Sequence, residues 1–114
     1  MSALYKITTI DEWSAAVAKG TFTGSALDVK DGFIHLSTSQ QASETARLHF
    51  TGQTDLLLVA ISQVAVDAHL KWEVSRGGQL FPHVYAPLNP AEALWVKPLL
   101  WDGVTHIFPE EFTA

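Results

Sequence analysis

The feature of this sequence that most constrains its fold is an uninterrupted apolar run over 56–61, Leu-Leu-Leu-Val-Ala-Ile. Strands that are buried on both faces show continuous runs of this kind, whereas strands with one wet face alternate apolar and polar residues. The run is far shorter than the roughly 20 apolar residues that a helix needs to cross a bilayer. It therefore predicts a strand in the middle of a sheet and no membrane span.

Two helices are predicted in the first half of the chain, each behind a capping-box signature. Thr9 and Glu12 stand three residues apart, as do Thr38 and Gln41, and this is the spacing at which two side chains cap two backbone amides. In chain order we expect a strand over 4–8, a helix over 10–19, a loop over 21–31, a strand over 33–37, a helix over 39–50, the apolar strand, and strands over 70–74, 84–86 and 94–96.

The order of these elements indicates the fold class. Strands outnumber helices and both helices come early, so we expect an α+β fold. The 114 residues contain no internal repeat, low-complexity tract or linker. A single domain over 1–114 is therefore predicted, with a core over about 4–98 and a tail over 99–114 that the pattern leaves unassigned.

Charge and cysteine content exclude several classes of function. The chain has 12 acidic and 7 basic residues and a formal net charge of -5, which argues against a module that binds nucleic acid by neutralising many phosphates. It has no cysteine, which excludes disulfides, thiolate metal sites and a cysteine nucleophile. The first residues lack the basic and then apolar pattern of a signal peptide, so we expect a cytoplasmic protein.

The densest group of chemically useful side chains lies on the predicted strand 33–37. Alternation along a strand places His35 and Ser37 on one face and Ile34 and Leu36 on the buried face. A strand holds polar groups more rigidly than a loop does, which suits the binding of a ligand. The alternative is a core histidine bonded to a backbone carbonyl, and the residues by themselves favour neither interpretation.

A second polar group follows later in the chain and combines a carboxylate, a guanidinium, an imidazole and a phenol, namely Glu73, Arg76, His83 and Tyr85. Arg76 precedes two glycines, and a guanidinium beside a permissive backbone can form a pocket for an anion. A hairpin turn with a solvated Arg76 explains the same residues, and a lone Gly-Gly pair favours that simpler interpretation. His35, Glu73 and His83 show no short ligand spacing, so no metal is expected.

Nearly the whole chain resembles a small bacterial family known as domain of unknown function 952. The matching blocks are Asp31-Gly32-Phe33-Ile34-His35-Leu36-Ser37-Thr38, Trp72-Glu73 and Phe81-Pro82-His83-Val84-Tyr85. These blocks and the spacing between them are specific to the family. The family name itself implies no activity.

A more distant resemblance is to the ADP-ribosyltransferase fold, and especially to the RNA 2'-phosphotransferases that use NAD. In those enzymes a strand with a His-Leu-Ser or His-Leu-Thr step runs into a helix that ends in Arg-x-Gly or Arg-His residues, and an apolar strand follows. His35-Leu36-Ser37, Arg47-Leu48-His49 and the apolar run match that order. The resemblance implies a split β-sheet whose cleft holds NAD or an ADP-ribosyl group.

The same resemblance implies roles for individual residues around that cleft. His35 would bond the nucleotide and Ser37 would contact its ribose. In that cleft the expected phosphate-binding cations are Lys6 and Arg76, the expected stacking ring is Trp72 or Tyr85, and Arg47 is a further candidate for cofactor binding. The candidate catalytic residues are His35, Glu73 and His83. Arg47 also has a sufficient structural explanation, because positive charge late in a helix complements the helix dipole.

Two departures from the transferases bear on activity. Lys6 stands where the first strand of that superfamily usually carries His or Arg, and an ammonium cannot copy a guanidinium fork. The late strand that carries a catalytic Glu in many members here reads Phe81-Pro82-His83-Val84-Tyr85, without a carboxylate. The expected function is a cleft for NAD or an ADP-ribose-type nucleotide, with ADP-ribosyl or phosphoryl transfer as its activity. The alternative is an inactive module on the same scaffold that binds a small anionic ligand or a protein.

Overall fold

A computed structural model describes residues 3–112 of the chain. The strands are β1 (Ala3–Thr9), β2 (Ile34–His35), β3 (Leu56–Ser62), β4 (Leu70–Val74), β5 (Leu80–Val84), β6 (Ala93–Trp101) and β7 (His106–Ile107). The helices are α1 (Ile10–Lys19), α2 (Ala26–Asp31), α3 (Ala42–His49) and the single turn α4 (Gln63–Val66). Over these residues the strands form two antiparallel sheets, one in the order β1-β3-β6-β7 and one in the order β2-β5-β4. This arrangement confirms the expected α+β class.

Strand β3 occupies the middle of the larger sheet, as its apolar sequence predicts. It pairs with β1 on one side and with β6 on the other. Successive residues of β3 enter two different cores, because Val59 clusters with Trp13 of α1 while Leu58 clusters with Ala46 of α3. Both faces of the strand are therefore covered, which explains why no polar residue interrupts the run.

Helix α2 corrects the sequence prediction. The first helix lies where its capping box predicts it, but the loop predicted over 21–31 is wrong in its second part, where residues 26–31 are helical. The Asp28 amide donates to Oγ of Ser25 at 3.3 Å, and the Ser25 amide donates to Oδ2 of Asp28 at 2.9 Å. These two hydrogen bonds form a capping box that satisfies amides at the start of a very short helix.

Other predicted boundaries shift for local reasons. Helix α3 begins at Ala42 rather than at 39, because the preceding residues form a turn in which the Thr38 amide donates to Oε1 of Gln41 at 3.1 Å. Strand β5 covers 80–84 rather than the predicted 84–86, and it contains Pro82, a residue that is unusual inside a strand because it lacks an N–H. Strand β6 continues to Trp101 and pairs with β7, so the unassigned tail contributes to the larger sheet.

The two sheets meet at a backbone bridge and diverge from it. Tyr5 of β1 and Ser37, which lies just beyond β2, exchange N–H···O=C hydrogen bonds of 2.8 and 2.9 Å. Strand β2 pairs instead with β5, so that His35 lies opposite His83. The strand predicted over 33–37 is therefore divided between two partners, and only its first part belongs to the smaller sheet.

Membrane insertion by a helix finds no support in this fold. Within residues 3–112, no helix has both the length and the apolar character needed to cross a bilayer.

Candidate functional site

A cavity of about 460 Å³ lies where β1 and β2 diverge. The predicted site residues that line it are Lys6, His35, Ser37, Arg76 and His83. This volume falls within the range of about 300–1,000 Å³ that is typical of small-molecule sites. The fold therefore brings residues from separate parts of the chain to one cavity.

The backbone of His35 shows how the divergence of the sheets is stabilised. The His35 amide donates to Oδ1 of Asp28 at 3.1 Å, and the His35 carbonyl accepts from Nζ of Lys6 at 3.1 Å. The Asp28 carboxylate and the Lys6 ammonium thus bind the backbone groups of His35 that a neighbouring strand would otherwise bind. The backbone N–H and C=O at this edge of β2 therefore have hydrogen-bond partners although no strand of residues 3–112 lies beside them, and the cavity stays open.

Asp28 is the buried centre of this arrangement. Its side chain is 1% exposed, and its two oxygens lie 2.7 Å from Nζ of Lys6 and 2.6 Å from Nδ1 of His35. Burial by itself raises the pKa of Asp28, but the hydrogen bond from His35 and the charge of Lys6 outweigh burial and hold the pKa well below its usual range. Asp28 is therefore an anion at neutral pH and balances the charge of the buried Lys6.

His35 has a carboxylate beside each of its ring nitrogens. Nδ1 faces Asp28, and Nε2 lies 3.1 Å from Oδ2 of Asp31 at the end of α2. The side chain is 29% exposed, so a ligand can reach it. These partners and this exposure do not match the alternative of a core histidine bonded to a backbone carbonyl.

His83 forms a second histidine–carboxylate pair on the same face of the smaller sheet. Its Nδ1 lies 2.8 Å from Oε1 of Glu73, and the Tyr85 hydroxyl donates to the same oxygen at 2.7 Å. The hydrogen bonds from Tyr85 and His83 lower the pKa of Glu73, and the bond to Glu73 raises the pKa of Tyr85. Glu73 and Tyr85 do not line the cavity themselves, so the structure places these two predicted site residues behind His83.

Arg76 reaches the cavity from the turn that follows β4. Its guanidinium lies 4.8 Å from the centre of the Phe81 ring and donates to Oγ1 of Thr45 at 3.2 Å. The same threonine hydroxyl lies 3.1 Å from Oγ of Ser37. Glu44 is 3.8 Å from Nε but is 53% exposed, so this ion pair is weak. Arg76 therefore retains N–H groups that can bind an anion.

Two predicted binding residues, Arg47 and Trp72, lie away from the cavity. Arg47 is 68% exposed on the last turn of α3, with Glu44 at 4.0 Å, as the helix-dipole explanation expects. Trp72 pairs with Pro82, and because side chains alternate along a strand it lies on the opposite face of the smaller sheet from His83. The cavity wall thus contains neither residue.

Asp28 and Thr45 are site residues that the sequence prediction missed. The spacing of Ser25 and Asp28 is a capping-box signature, and this signal places Asp28 in the first turn of a helix. No comparable signal marks Thr45, because its contacts with Ser37 and Arg76 depend on how α3 packs against the sheets.

The chemistry of the cavity is that of a donor-rich site. In the part of the chain that the structure describes, no group of three or more His, Cys, Asp or Glu side chains is arranged to hold a metal ion. The cavity wall instead carries a guanidinium, an ammonium, three imidazoles and hydroxyl groups, together with the carboxylates of Glu12 and Asp28, which are bonded within the protein. Such groups bind phosphates and sugar hydroxyls.

Comparison with known proteins identifies close structural relatives. A family model described as "Protein of unknown function (DUF952)" matches residues 7–96. The crystal structure of protein CC0527 from Caulobacter crescentus is 47% identical to this chain, with a TM-score of 0.88 and 92% of each chain covered. The solution NMR structure of CC0527, also 47% identical, has a TM-score of 0.82 and covers 93% of this chain and 91% of that one. No curated protein matches the chain at a significant level.

Proposed function

Because the chain belongs to the family described as "Protein of unknown function (DUF952)", its role has to be inferred from its own cavity, and we propose that this cavity binds a small phosphorylated nucleotide of the NAD or ADP-ribose class. The observation that carries the proposal is that Arg76, His35 and His83 line one cavity of about 460 Å³. A guanidinium, imidazoles and hydroxyls around one cavity are suited to a ligand that is both phosphorylated and rich in hydroxyls.

Arg76 is the proposed phosphate ligand. Its guanidinium is held over Phe81 and by Thr45, which leaves less side-chain freedom to lose when an anion binds. Lys6 has a smaller part in this proposal, because Asp28 already matches its charge at 2.7 Å. A planar guanidinium can also contact two phosphate oxygens at once, which an ammonium cannot do.

The remaining parts of a nucleotide have matching surfaces in the same cavity. Ser37 and His35 supply polar atoms for a ribose, and the rings of Tyr5, Phe50 and Phe81 supply apolar surface for a base. Binding sites for small molecules commonly combine such apolar walls with a few polar groups. The divergence of the two antiparallel sheets also supports the comparison with the split sheet of the ADP-ribosyltransferase fold.

Isothermal titration calorimetry with NAD, ADP-ribose and a 2'-phosphorylated RNA tests this proposal. We expect ADP-ribose to bind with a Kd below about 1 mM, and Arg76→Ala to weaken it by at least about tenfold, because a charge-assisted hydrogen bond contributes on the order of 1.5–3 kcal/mol. Arg47→Ala is the matched control, because Arg47 also lies near Glu44 but faces solvent. Absence of heat with all three ligands at millimolar concentration would refute the proposal.

A second candidate function is binding without catalysis. The acidic side chains on the cavity wall are already engaged, Glu12 in the capping box of α1 and Asp28 with Lys6 and His35. Glu73 is bound to His83 and Tyr85 and lies off the wall, which favours this candidate over a Glu73 that orients a ribose as in the transferases. Ligand binding with no release of nicotinamide from NAD would select this candidate.

A further inference from the structure

We propose that Glu73 is a positioning residue that holds His83 with its proton on Nδ1, so that Nε2 of His83 is the proton acceptor of the cavity. This inference rests on the proposed function only for the identity of the substrate. It gives Glu73 a role that acts through the imidazole of His83 and does not require contact with a ribose.

The proton on Nδ1 follows from the chemistry of its partner. The Glu73 carboxylate accepts hydrogen bonds from both His83 and Tyr85, and these bonds favour its ionised form. An ionised carboxylate can only accept, so Nδ1 of His83 must donate in this 2.8 Å contact. In the neutral imidazole the other nitrogen then carries the lone pair.

Nε2 of His83 is both unpartnered and accessible. The side chain is 6% exposed, and its hydrogen-bond partner among the described residues is Glu73, through Nδ1. Within that part of the chain, the one side-chain polar atom that is sealed from solvent without a partner is Nε2 of His106. Nε2 of His83 is therefore not sealed from solvent, and His83 is one of the residues that line the cavity.

The ring of His83 is also held in place by packing. Phe33 stacks on it with 4.2 Å between ring centroids and 28° between planes. Tyr85 packs against Phe33 at 5.2 Å, and Nζ of Lys71 lies 4.7 Å from the centre of the Tyr85 ring. Packing and hydrogen bonding of this kind keep a catalytic group in one geometry.

His35 is less suited to accept a proton, although its ring lies only 5.3 Å from that of His83. Its Nδ1 faces Asp28 and its Nε2 faces Asp31, so neither nitrogen is without a carboxylate partner. These two neighbouring imidazoles therefore have different roles, because His35 is held between two carboxylates and His83 is the base.

The step assigned to His83 is the activation of a hydroxyl nucleophile. A water or alcohol gives its proton to Nε2 while its oxygen forms a bond to the ribosyl carbon of an NAD-type substrate. The bond from that carbon to the nicotinamide nitrogen breaks, and its electron pair leaves with nicotinamide. Proton acceptance by a positioned side chain contributes about 10²- to 10⁴-fold to the rate of such a step.

Nitrogen NMR of the ligand-free protein tests the positioning role. Long-range ¹H–¹⁵N spectra should show His83 protonated on Nδ1 in the wild type and shifted toward the Nε2–H tautomer in Glu73→Ala. Glu111→Ala is the control, because Glu111 is a similarly exposed carboxylate that pairs with Lys97 away from the site. A wild-type Nε2–H tautomer, or the same tautomer in Glu73→Ala, would overturn the positioning role.

Nicotinamide release from NAD, measured beside ADP-ribose affinity, tests the role of His83 as the base. We expect His83→Gln to lower nicotinamide release by about 10²- to 10⁴-fold beyond any change in ADP-ribose affinity. Undiminished release would overturn the assignment, as would a wild type that binds ADP-ribose and releases no nicotinamide. Absence of ADP-ribose binding would instead contradict the proposed function, and the tautomer of His83 would still decide the role of Glu73.

Discussion

At the scale of single residues, the carboxylate of Asp28 connects parts of the chain that are distant in sequence. It contacts Lys6 of β1 and both the ring and the amide of His35, while its own position is fixed by the Ser25 amide. The ion pair with Lys6 is buried, and a buried charge without its partner is strongly destabilising. The stability of the protein and the shape of its cavity therefore depend on the same side chain.

Asp28→Asn should lower the free energy of unfolding by about 3 kcal/mol, because the amide leaves the Lys6 ammonium buried without a counter-charge. The measurement is urea denaturation at neutral pH. Asp31→Asn is the control, because Asp31 pairs with the same histidine but is 36% exposed, and it should cost less than about 1 kcal/mol. An equal loss of unfolding free energy in the two variants would show that burial of the Lys6–Asp28 pair does not account for the effect of Asp28→Asn.

The same residue predicts a specific dependence of stability on pH. The pKa of Asp28 in the folded protein lies below its ordinary value of 3.8, so the unfolded chain binds a proton more readily than the folded chain does. The stabilisation that Asp28 provides is complete above the pKa of its carboxyl in the unfolded chain. It is lost as the pH falls through the pKa of the same carboxyl in the folded protein. We expect the difference in the free energy of unfolding between wild type and Asp28→Asn to become smaller below about pH 4, when unfolding is measured between neutral pH and about pH 2. A difference in the free energy of unfolding that stays constant over this pH range would contradict this prediction.

The limits of sequence prediction at this scale follow from the same contacts. Alternation along a strand predicts that His35 and Ser37 share a face, and both line the cavity. The Gly-Gly pair next to Arg76 allows an anion pocket but favours a plain hairpin turn, so the place of Arg76 on the cavity wall does not follow from it. The pairing of Asp28 with Lys6 joins residues 22 positions apart through the tertiary fold, so no local pattern signals it. Trp72 is predicted as a stacking ring from the resemblance to the transferases, and strand alternation places it on the other face of the smaller sheet.

At the scale of elements, the short helix α2 and the turn before it determine where Asp28 lies. Gly24 precedes this helix with a φ of +106°, and a Cβ there would lie 2.5 Å from Cβ of Asp28. Gly20, at the end of α1, also has a positive φ of +81° but has open space around it. A substitution at Gly20 therefore tests backbone strain alone, whereas a substitution at Gly24 tests backbone strain together with the displacement of Asp28.

Gly20→Ala should cost about 1–2 kcal/mol from left-handed backbone strain alone. Gly24→Ala should cost clearly more, because the added methyl group must push Asp28 away from Lys6 and His35. Thermal unfolding compares the two variants, and the NMR signals of the His35 ring should change in Gly24→Ala only. An unchanged His35 in Gly24→Ala would contradict the idea that this turn positions Asp28.

Prediction of the elements succeeded where one local signal dominates. The capping box of α1 and the apolar run of β3 are confirmed, because each follows from local sequence. Strand β5 lies at 80–84 rather than at the predicted 84–86, and it contains Pro82, whose carbonyl accepts from the Leu36 amide at 3.0 Å. Whether a strand tolerates a proline depends on its neighbours, which the sequence does not show.

At the scale of the whole molecule, the divergence of two antiparallel sheets creates the cavity. The backbone bridge between Tyr5 and Ser37 joins the sheets. Where the sheets diverge, Lys6 and Asp28 bind the backbone carbonyl and amide of His35 at the edge of β2. The chain has a net charge of -5, and the cavity wall carries Arg76 and Lys6, whose charge Asp28 balances. An acidic protein with a few cations in a pocket is suited to a small anionic ligand and is poorly suited to a long nucleic acid.

The decisive measurement at this scale is a crystal structure of the protein soaked with ADP-ribose. We predict nucleotide density in the cavity between β1 and β2, with a phosphate oxygen about 3 Å from the guanidinium of Arg76 and the ribose near His35 and Ser37. An empty cavity at millimolar ADP-ribose, or a nucleotide bound elsewhere on the protein, would contradict the proposed nucleotide site.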